Sequence, residues 1–235
     1  MLILLPPSET KASGGEGPPL DLAELGFPEL TKTRARLTAA LIRLSRNRKA
    51  SRAALGLSPK QDAEIARNAE LASSATMPAY ARYTGVLYDE LDAPTLTPEA
   101  RGSLLIASAL FGVLRANDPI PAYRLSGGSV LPRSRGLAAL WRPGLTRELT
   151  ACGPILDLRS GDYVKLAPLR DAFTARIVSR DGGVVSHHNK LTKGRLARVL
   201  ASSQADTLDQ LLGAAEAGGL AVSETGETSF DVTVS

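Results

Sequence analysis

Three short, almost entirely apolar segments place the tightest limits on how this chain can fold. They cover residues 2–5, 104–107 and 155–158, with Pro, Gly or Ser residues close by. Such segments are typical of strands buried on both faces of a sheet, and a sheet of this kind needs helices to cover it. The first segment ends at Pro6, which is too early for a signal-peptide core or a membrane span. We therefore predict buried strands in an α/β protein that does not enter a membrane.

Several segments between these strands have apolar residues at helical spacing or helix N-cap patterns, which predict helices. Residues 28–47 have apolar side chains at helical spacing, with seven cations in and just beyond this segment supplying a basic face: Lys32, Arg34, Arg36, Arg43, Arg46, Arg48 and Lys49. Ser58 followed by a proline is an N-cap pattern that predicts a helix over residues 59–73. Thr97 before Pro98 predicts the start of another helix.

Local patterns predict the remaining elements. We expect a strand at 81–84, a helical turn at 111–118, a helix at 135–150 broken at Pro143 and Gly144, and hairpins at 173–185 and 220–234. The class is therefore mixed α/β (α+β), with a mixed central sheet flanked by helices.

Composition favours one compact domain over residues 1–235. A chain of 235 residues with 43% hydrophobic content is long enough to bury a sizeable core. Its only cysteine, Cys152, excludes an internal disulfide and a cysteine-rich metal cluster, which favours the cytoplasm. We expect no metal and no cofactor, and the net charge of +4 tilts the expected partners slightly toward phosphate-bearing molecules.

Polar residues follow four of the predicted strands or turns, at the ends where open α/β sheets place their ligands. These residues are Ser8, Glu9 and Lys11; Arg115, Asp118, Tyr123 and Arg124; Asp157, Arg159, Ser160, Asp162, Tyr163 and Lys165; and His187, Asn189, Lys190, Lys193 and Arg195. If these ends converge, the cations would suit a phosphorylated or nucleotide-like ligand, because arginine binds phosphate oxygens at two points. Each residue also has a structural alternative. Arg115 and Asp118 could form a local ion pair, Tyr123 could be a core aromatic, and Asp157 could accept hydrogen bonds in a turn.

Residues 186–198 contain both histidines and several cations at the start of a predicted helix. Cations at a helix N-terminus oppose the helix dipole, and an anionic partner would relieve this conflict. A solvated basic helix face is the alternative.

Four segments together resemble a known family. They are Ser8-Glu9-Thr10-Lys11, the sequence GVLRANDPIPAYRL at residues 112–125, the sequence DLRSGDY at 157–163, and the sequence SHHNKLTKGR at 186–195. This chain is similar to the YaaA family of peroxide stress proteins over most of its length. The resemblance implies one α/β domain with a positively charged cleft, a helix-hairpin-helix element that binds DNA, and a cytoplasmic role in limiting oxidative damage. It implies that matched residues line the cleft: Ser8, Lys11, Arg115, Asp118, Tyr123, Arg124, Asp157, Ser160, Tyr163, Asn189, Lys190 and Lys193.

The hairpin element implied by this resemblance would lie at about residues 44–66. The segment offers only one glycine at its turn, Gly56, so the glycine-rich hairpin is degenerate.

Two functions fit these residues. The first is a cytoplasmic stress protein that binds DNA through phosphates, using its basic helix and its cleft, where His187 and Arg195 would join the residues above. The second is an enzyme that acts on a nucleotide or on the N-glycosidic bond between nucleobase and sugar, with Asp157 or Asp118 as acid or base and Lys190 as electrophile or nucleophile.

Overall fold

The computed structural model of this protein describes residues 1–180 and 189–234, and its strands form two sheets within these ranges. The strands are β1 (Leu2–Leu5), β2 (Gly17–Pro19), β3 (Ala75–Pro78), β4 (Leu104–Ser108), β5 (Gly112–Arg115), β6 (Pro119–Ile120), β7 (Ile155–Asp157), β8 (Phe173–Ser179), β9 (Ala221–Gly226) and β10 (Ser229–Val234). The main sheet has the order β5-β4-β1-β7-β8-β10-β9, and β2, β3 and β6 form a small second sheet. Strands β4, β1, β7, β8 and β10 are parallel neighbours, while β5 and β9 pair antiparallel at the two edges. The predicted mixed central sheet is confirmed.

Helices flank the main sheet. They are α1 (Thr31–Ser45), α2 (Arg48–Leu55), α3 (Asp62–Ala69), α4 (Ala79–Arg82), α5 (Val86–Leu91), α6 (Pro98–Gly102), α7 (Leu137–Thr150), α8 (Asp162–Leu166), α9 (Asn189–Ala201) and α10 (Leu208–Ala217). Short 3-10 turns occur at Pro28–Leu30, Pro59–Gln61 and Ala93–Thr95. Within the described ranges, no helix has the length and apolar character needed to cross a bilayer.

The core is one continuous cluster of buried apolar side chains at the centre of the main sheet. All five residues of β4 and all three of β7 are buried, so the three apolar segments are the strands that the sequence predicts. The predicted caps at Ser58 and Thr97 and the hairpin of β9 and β10 are confirmed as well. The turn of the other predicted hairpin, at residues 181–183, lies outside the described residues.

The strand predicted at residues 81–84 is wrong, because α4 covers residues 81 and 82, and Tyr83 forms only an isolated β-bridge with Lys11. The guanidinium of Arg82 is buried and donates to the carbonyl groups of Ile120, Ala12, Gly14 and Ala75. These contacts hold the helical turn against three other segments, and a local sequence pattern cannot predict them.

The helical turn predicted at residues 111–118 is also wrong, because β5 turns back antiparallel on β4 there. The reversal depends on Gly112, which has a left-handed backbone (φ +77°) and lies against Trp141; an added Cβ would be 2.8 Å from the indole ring. The break predicted at Pro143 does not occur either. Helix α7 continues through this proline because Trp141 and Leu145 are buried on either side of it.

One member of the predicted basic face is not on the surface. Arg34 is fully buried and donates to the carbonyl groups of Phe111 and Val113, at 3.0 and 2.8 Å. Two other members, Arg48 and Lys49, belong to α2, which starts at the Asn47 cap. The exposed basic face of α1 is therefore smaller than predicted.

Candidate functional site

The carboxyl ends of β1, β4 and β7 lie side by side in the main sheet. Ser8 and Lys11 follow β1, Ser108 ends β4, and Asp157 ends β7. This edge is where parallel sheets usually place ligands. We call it the carboxyl edge.

Lys11 is the most unusual residue at the carboxyl edge. It is 9% exposed, and its Nζ donates to the carbonyl oxygens of Ser8 and Glu9, at 3.0 and 3.5 Å. The same nitrogen lies 4.3 Å from the ring centroid of Tyr123 and 5.2 Å from that of Tyr83. Burial lowers the pKa of Lys11 to about 7, with the positive charge of Arg124 as a smaller cause, while Glu9 and Glu64 oppose the shift. The amine is therefore largely neutral just above neutral pH.

The rings of Tyr83 and Tyr123 lie against this amine, and we call these two residues together with Tyr88 and Tyr163 the tyrosine cluster. Tyr83 and Tyr88 stack at 5.6 Å between ring centroids. The hydroxyls of Tyr83 and Tyr123 are 2.7 Å apart, and Tyr123 is also 2.7 Å from the Ser108 hydroxyl. Burial raises the pKa of every phenol in the cluster, to about 12 for Tyr83, so these tyrosines stay neutral and offer Lys11 no counter-charge.

Arg124 lies beside Lys11 and is held in place by two elements. The side chain of Asn68 in α3 accepts from the Arg124 backbone amide at 2.8 Å and donates to its carbonyl at 2.9 Å. The guanidinium of Arg124 forms an ion pair with Glu9 at 2.5 Å. The carboxylate nearest to Lys11 along the chain is thus engaged with Arg124.

Asp157 forms a buried pair with Arg159. The guanidinium donates to both carboxylate oxygens, at 2.9 and 2.7 Å, and also to the carbonyl groups of Tyr163 and Ala167. This network fixes the loop between β7 and the segment after α8. The geometry matches the structural alternative for Asp157, a hydrogen-bond acceptor in a turn.

Helix α9 brings Lys193 to the same edge. Lys193 is buried and its Nζ donates to the carbonyl of Leu158 at 2.8 Å. Burial lowers the pKa of Lys193, and Asp157 opposes this shift. Lys190 and Arg195 are exposed on the same helix, Asn189 begins it, and Ser160 is exposed after β7. The predicted residue His187 lies outside the described residues.

Arg115 and Asp118 lie away from the carboxyl edge. Arg115 pairs with Leu105 near the start of β4, whereas Ser108 at the end of β4 contacts Tyr123, roughly 10 Å further along the strand. Asp118 accepts from the backbone amides of Gly26 and Arg115 at 3.0 to 3.1 Å, and burial raises its pKa. The predicted strand-end residues therefore form two separate groups, because β5 runs opposite to β4.

A second feature is an open groove of about 600 Å³ between α1 and the segment before α7. Its lining includes Arg36, Arg43 and Arg133, and no described lining residue is acidic. All three arginines are exposed, and none has a carboxylate partner within the described ranges. We call this feature the arginine groove. Sequence reasoning found two of its cations but missed Arg133, which lies in an irregular segment with no periodic pattern.

Helices α2 and α3 are joined by a turn at Gly56, within the segment predicted as a hairpin element. Gly56 has a left-handed backbone (φ +63°), and the amides of Gly56 and Leu57 both donate to the carbonyl of Arg52. The amide of Ser58 donates to the side chain of Gln61. Because these three amides are bonded within the chain, they are not free to bind a phosphate, and a DNA-binding role for this turn stays a prediction.

In the described part of the chain, no group of three acidic, histidine or cysteine side chains is placed to hold a metal ion. Sequence reasoning also missed Tyr83, Tyr88 and Ser108 as parts of the site. Tyr83 falls in a segment misread as a strand, and the other two lie within apolar stretches that resemble ordinary core.

Comparison with known proteins identifies relatives over nearly the whole chain. A family model described as "Peroxide stress protein YaaA" matches residues 1–225. A UPF0246 protein of Corynebacterium glutamicum is 48% identical over 235 residues, covering 95% of each chain. A UPF0246 protein of Corynebacterium efficiens is 48% identical with 94% of each chain covered, and one of Streptomyces coelicolor is 40% identical with 85% of this chain and 82% of that protein covered.

Proposed function

This chain belongs to the YaaA family of peroxide stress proteins, and from this premise we propose that it binds duplex DNA through the phosphate groups. The arginine groove carries the proposal. Three exposed guanidinium groups without carboxylate partners line one open concave surface, and guanidinium groups bind phosphate oxygens in a two-point geometry. We place this function in the cytoplasm, where the free thiol of Cys152 would remain reduced.

The groove favours contacts to phosphate over the reading of bases. It is open, and its remaining lining residues are mostly apolar or small, with Asn47 as the one side-chain amide among them. Phosphate contacts fix a protein on the duplex without selecting a sequence. We therefore expect binding that depends little on sequence and strongly on salt.

The test compares Arg43→Gln with Arg170→Gln, which removes an exposed arginine on another part of the surface, next to the end of α7. Fluorescence anisotropy with a labelled duplex measures affinity at several salt concentrations. Because each lost phosphate contact reduces the slope of log affinity against log salt by about 0.9, Arg43→Gln should weaken binding and lower the slope by about one. Arg170→Gln should match the wild type. Equal slopes for all three proteins would contradict the proposal.

A second candidate function is an enzyme that acts on a nucleotide or on an N-glycosidic bond. Lys11 favours it, because burial lowers the pKa of this amine to about 7, so a substantial fraction of it is neutral and nucleophilic near neutral pH. Asp157 is engaged with Arg159, and Asp118 lies at the other end of β4, so Lys11 replaces them as the reactive group of this candidate. This candidate is tested by incubating the protein with a duplex or a nucleotide and following the release of free nucleobase by chromatography. No release by wild type would contradict the N-glycosidic form of this candidate.

A further inference from the structure

We propose that Lys11 is a nucleophile that forms an imine with the aldehyde of a phosphorylated sugar at the carboxyl edge. The inference rests on the proposed function for its phosphate-bearing ligand, and on the surroundings of Lys11 for its chemistry.

The hydrogen bonds around the Lys11 Nζ fit a neutral amine. A neutral amine has two N–H bonds and one lone pair. The carbonyl groups of Ser8 and Glu9 supply two acceptors for these N–H bonds, at 3.0 and 3.5 Å. The lone pair then has no hydrogen-bond donor among the described residues, and it is the lone pair that attacks a carbonyl carbon.

The acidic groups near Lys11 only partly offset the burial of its amine, because Glu9 and Glu64 raise its pKa less than burial lowers it. The Glu9 carboxylate is paired with Arg124, and the phenols of the tyrosine cluster are neutral. Lysines that act as nucleophiles elsewhere are activated by an apolar pocket or by a neighbouring cation. A structural lysine at this depth would instead be expected to pair with an acid.

Arg124 indicates the class of ligand. Its guanidinium, which also pairs with Glu9, is close enough for its charge to act on Lys11. This arrangement favours an aldehyde that also carries a phosphate, because guanidinium groups bind phosphate well. An open-chain sugar phosphate has both groups, either as a free molecule or as an abasic nucleotide within DNA.

The reaction balances without an oxidant or reductant. The Nζ lone pair forms a bond to the aldehyde carbon, and the carbonyl electron pair moves to oxygen. Two protons from the amine end on that oxygen, which leaves as water, so amine and aldehyde give imine and water. The imine is reversible, and cyanoborohydride reduces it to a stable secondary amine that can be located by mass.

The test uses the full chain with cyanoborohydride at pH 7 in two arms, one with 2-deoxyribose 5-phosphate and one with a duplex that contains a single abasic site. Peptide mapping then locates the label. We expect Lys11 to be labelled at least tenfold faster than the exposed Lys165, in one arm or both, and the arms identify the source of the aldehyde. Because exposed lysines become neutral only at high pH, this preference should shrink as pH approaches 10.

Lys11→Arg replaces the amine with a guanidinium that is not nucleophilic at this pH and should lose the fast label, whereas Lys165→Arg should keep it. Labelling of Lys11 no faster than of Lys165 in wild type, in both arms, would overturn the inference; this result does not require any variant to fold. Binding of an intact duplex is measured separately. If the wild-type protein does not bind this duplex but the sugar phosphate rapidly labels Lys11, only the proposed DNA binding is contradicted.

Discussion

Lys11 and Asp157 show how differently two charged residues can be accommodated at one edge of the same sheet. Asp157 has a bidentate partner in Arg159, so both charges are retained inside the protein. Among the described residues, the Lys11 nitrogen contacts carbonyl groups and aromatic faces, and burial lowers its pKa more than Glu9 and Glu64 raise it. Both residues follow or end a strand, and no local sequence pattern distinguishes the ion-paired Asp157 from the buried amine of Lys11.

The lowered pKa of Lys11 predicts that the stability of the protein depends on pH. The unfolded chain holds this proton up to the ordinary pKa of 10.5, whereas the folded protein releases it near pH 7. Between these values the unfolded state binds more protons, so the stability of wild type rises with pH, by at most about 1.4 kcal/mol per pH unit from this group. Lys11→Met should therefore be more stable than wild type at pH 7, with an advantage that narrows toward pH 10. Urea unfolding at several pH values measures the stability of both proteins. A difference in stability that does not change with pH would contradict the lowered pKa of Lys11.

Asp157→Asn tests the role of the buried pair. The variant leaves the Arg159 charge buried without a partner, so we expect a loss of about 3 to 5 kcal/mol in the free energy of unfolding. Asp162→Asn, which breaks an exposed pair with Lys165, should cost less than about 1 kcal/mol. If Asp157→Asn keeps full stability and loses ligand binding or turnover instead, Asp157 belongs to the functional site.

At the scale of elements, the sequence predicts what depends on local patterns. The apolar strands β1, β4 and β7 and the caps of the helices after Ser58 and Thr97 are read directly from neighbouring residues. The errors at α4 and β5 occur where distant contacts decide the conformation. Arg82 bonds to carbonyl groups from three separate segments, and Gly112 reverses the chain against Trp141. A local sequence pattern cannot predict these contacts, because the contacting residues are mostly distant in the chain.

The contact between α9 and α5 gives a prediction at this scale. A Cβ at Gly194 would lie 2.4 Å from the carbonyl oxygen of Leu87, a backbone atom that cannot rotate away. Gly194→Ala should therefore destabilise the protein by about 1 to 3 kcal/mol, and it should shift the adjacent Lys193. Gly213→Ala is the control, because no atom lies near its added Cβ inside α10, and it should be neutral or stabilise by about 0.4 to 1 kcal/mol. Thermal unfolding of both variants measures this difference. Equal melting temperatures would contradict the close packing at Gly194.

At the scale of the whole molecule, the candidate site depends on strand direction. The sequence predicts that residues after the strands converge, and this holds for groups that follow the parallel strands β1, β4 and β7. It fails for Arg115 and Asp118, because β5 is antiparallel and ends at the other side of the sheet. Strand direction depends on the topology of the complete sheet. Local sequence patterns therefore cannot show that these two groups of residues lie at opposite edges of the sheet. The arginine groove likewise joins α1 to a segment almost a hundred residues later.

The most direct test of the central claim is the salt dependence of duplex binding by the wild-type protein. Three guanidinium groups that contact phosphates predict a slope of log affinity against log salt of roughly −2.7. Fluorescence anisotropy between about 50 and 200 mM salt measures this slope, with duplexes of unrelated sequence giving similar affinities. A steep decline that is the same for each duplex is the expected result. A flat response, or no binding at the lowest salt, would contradict DNA binding through phosphates.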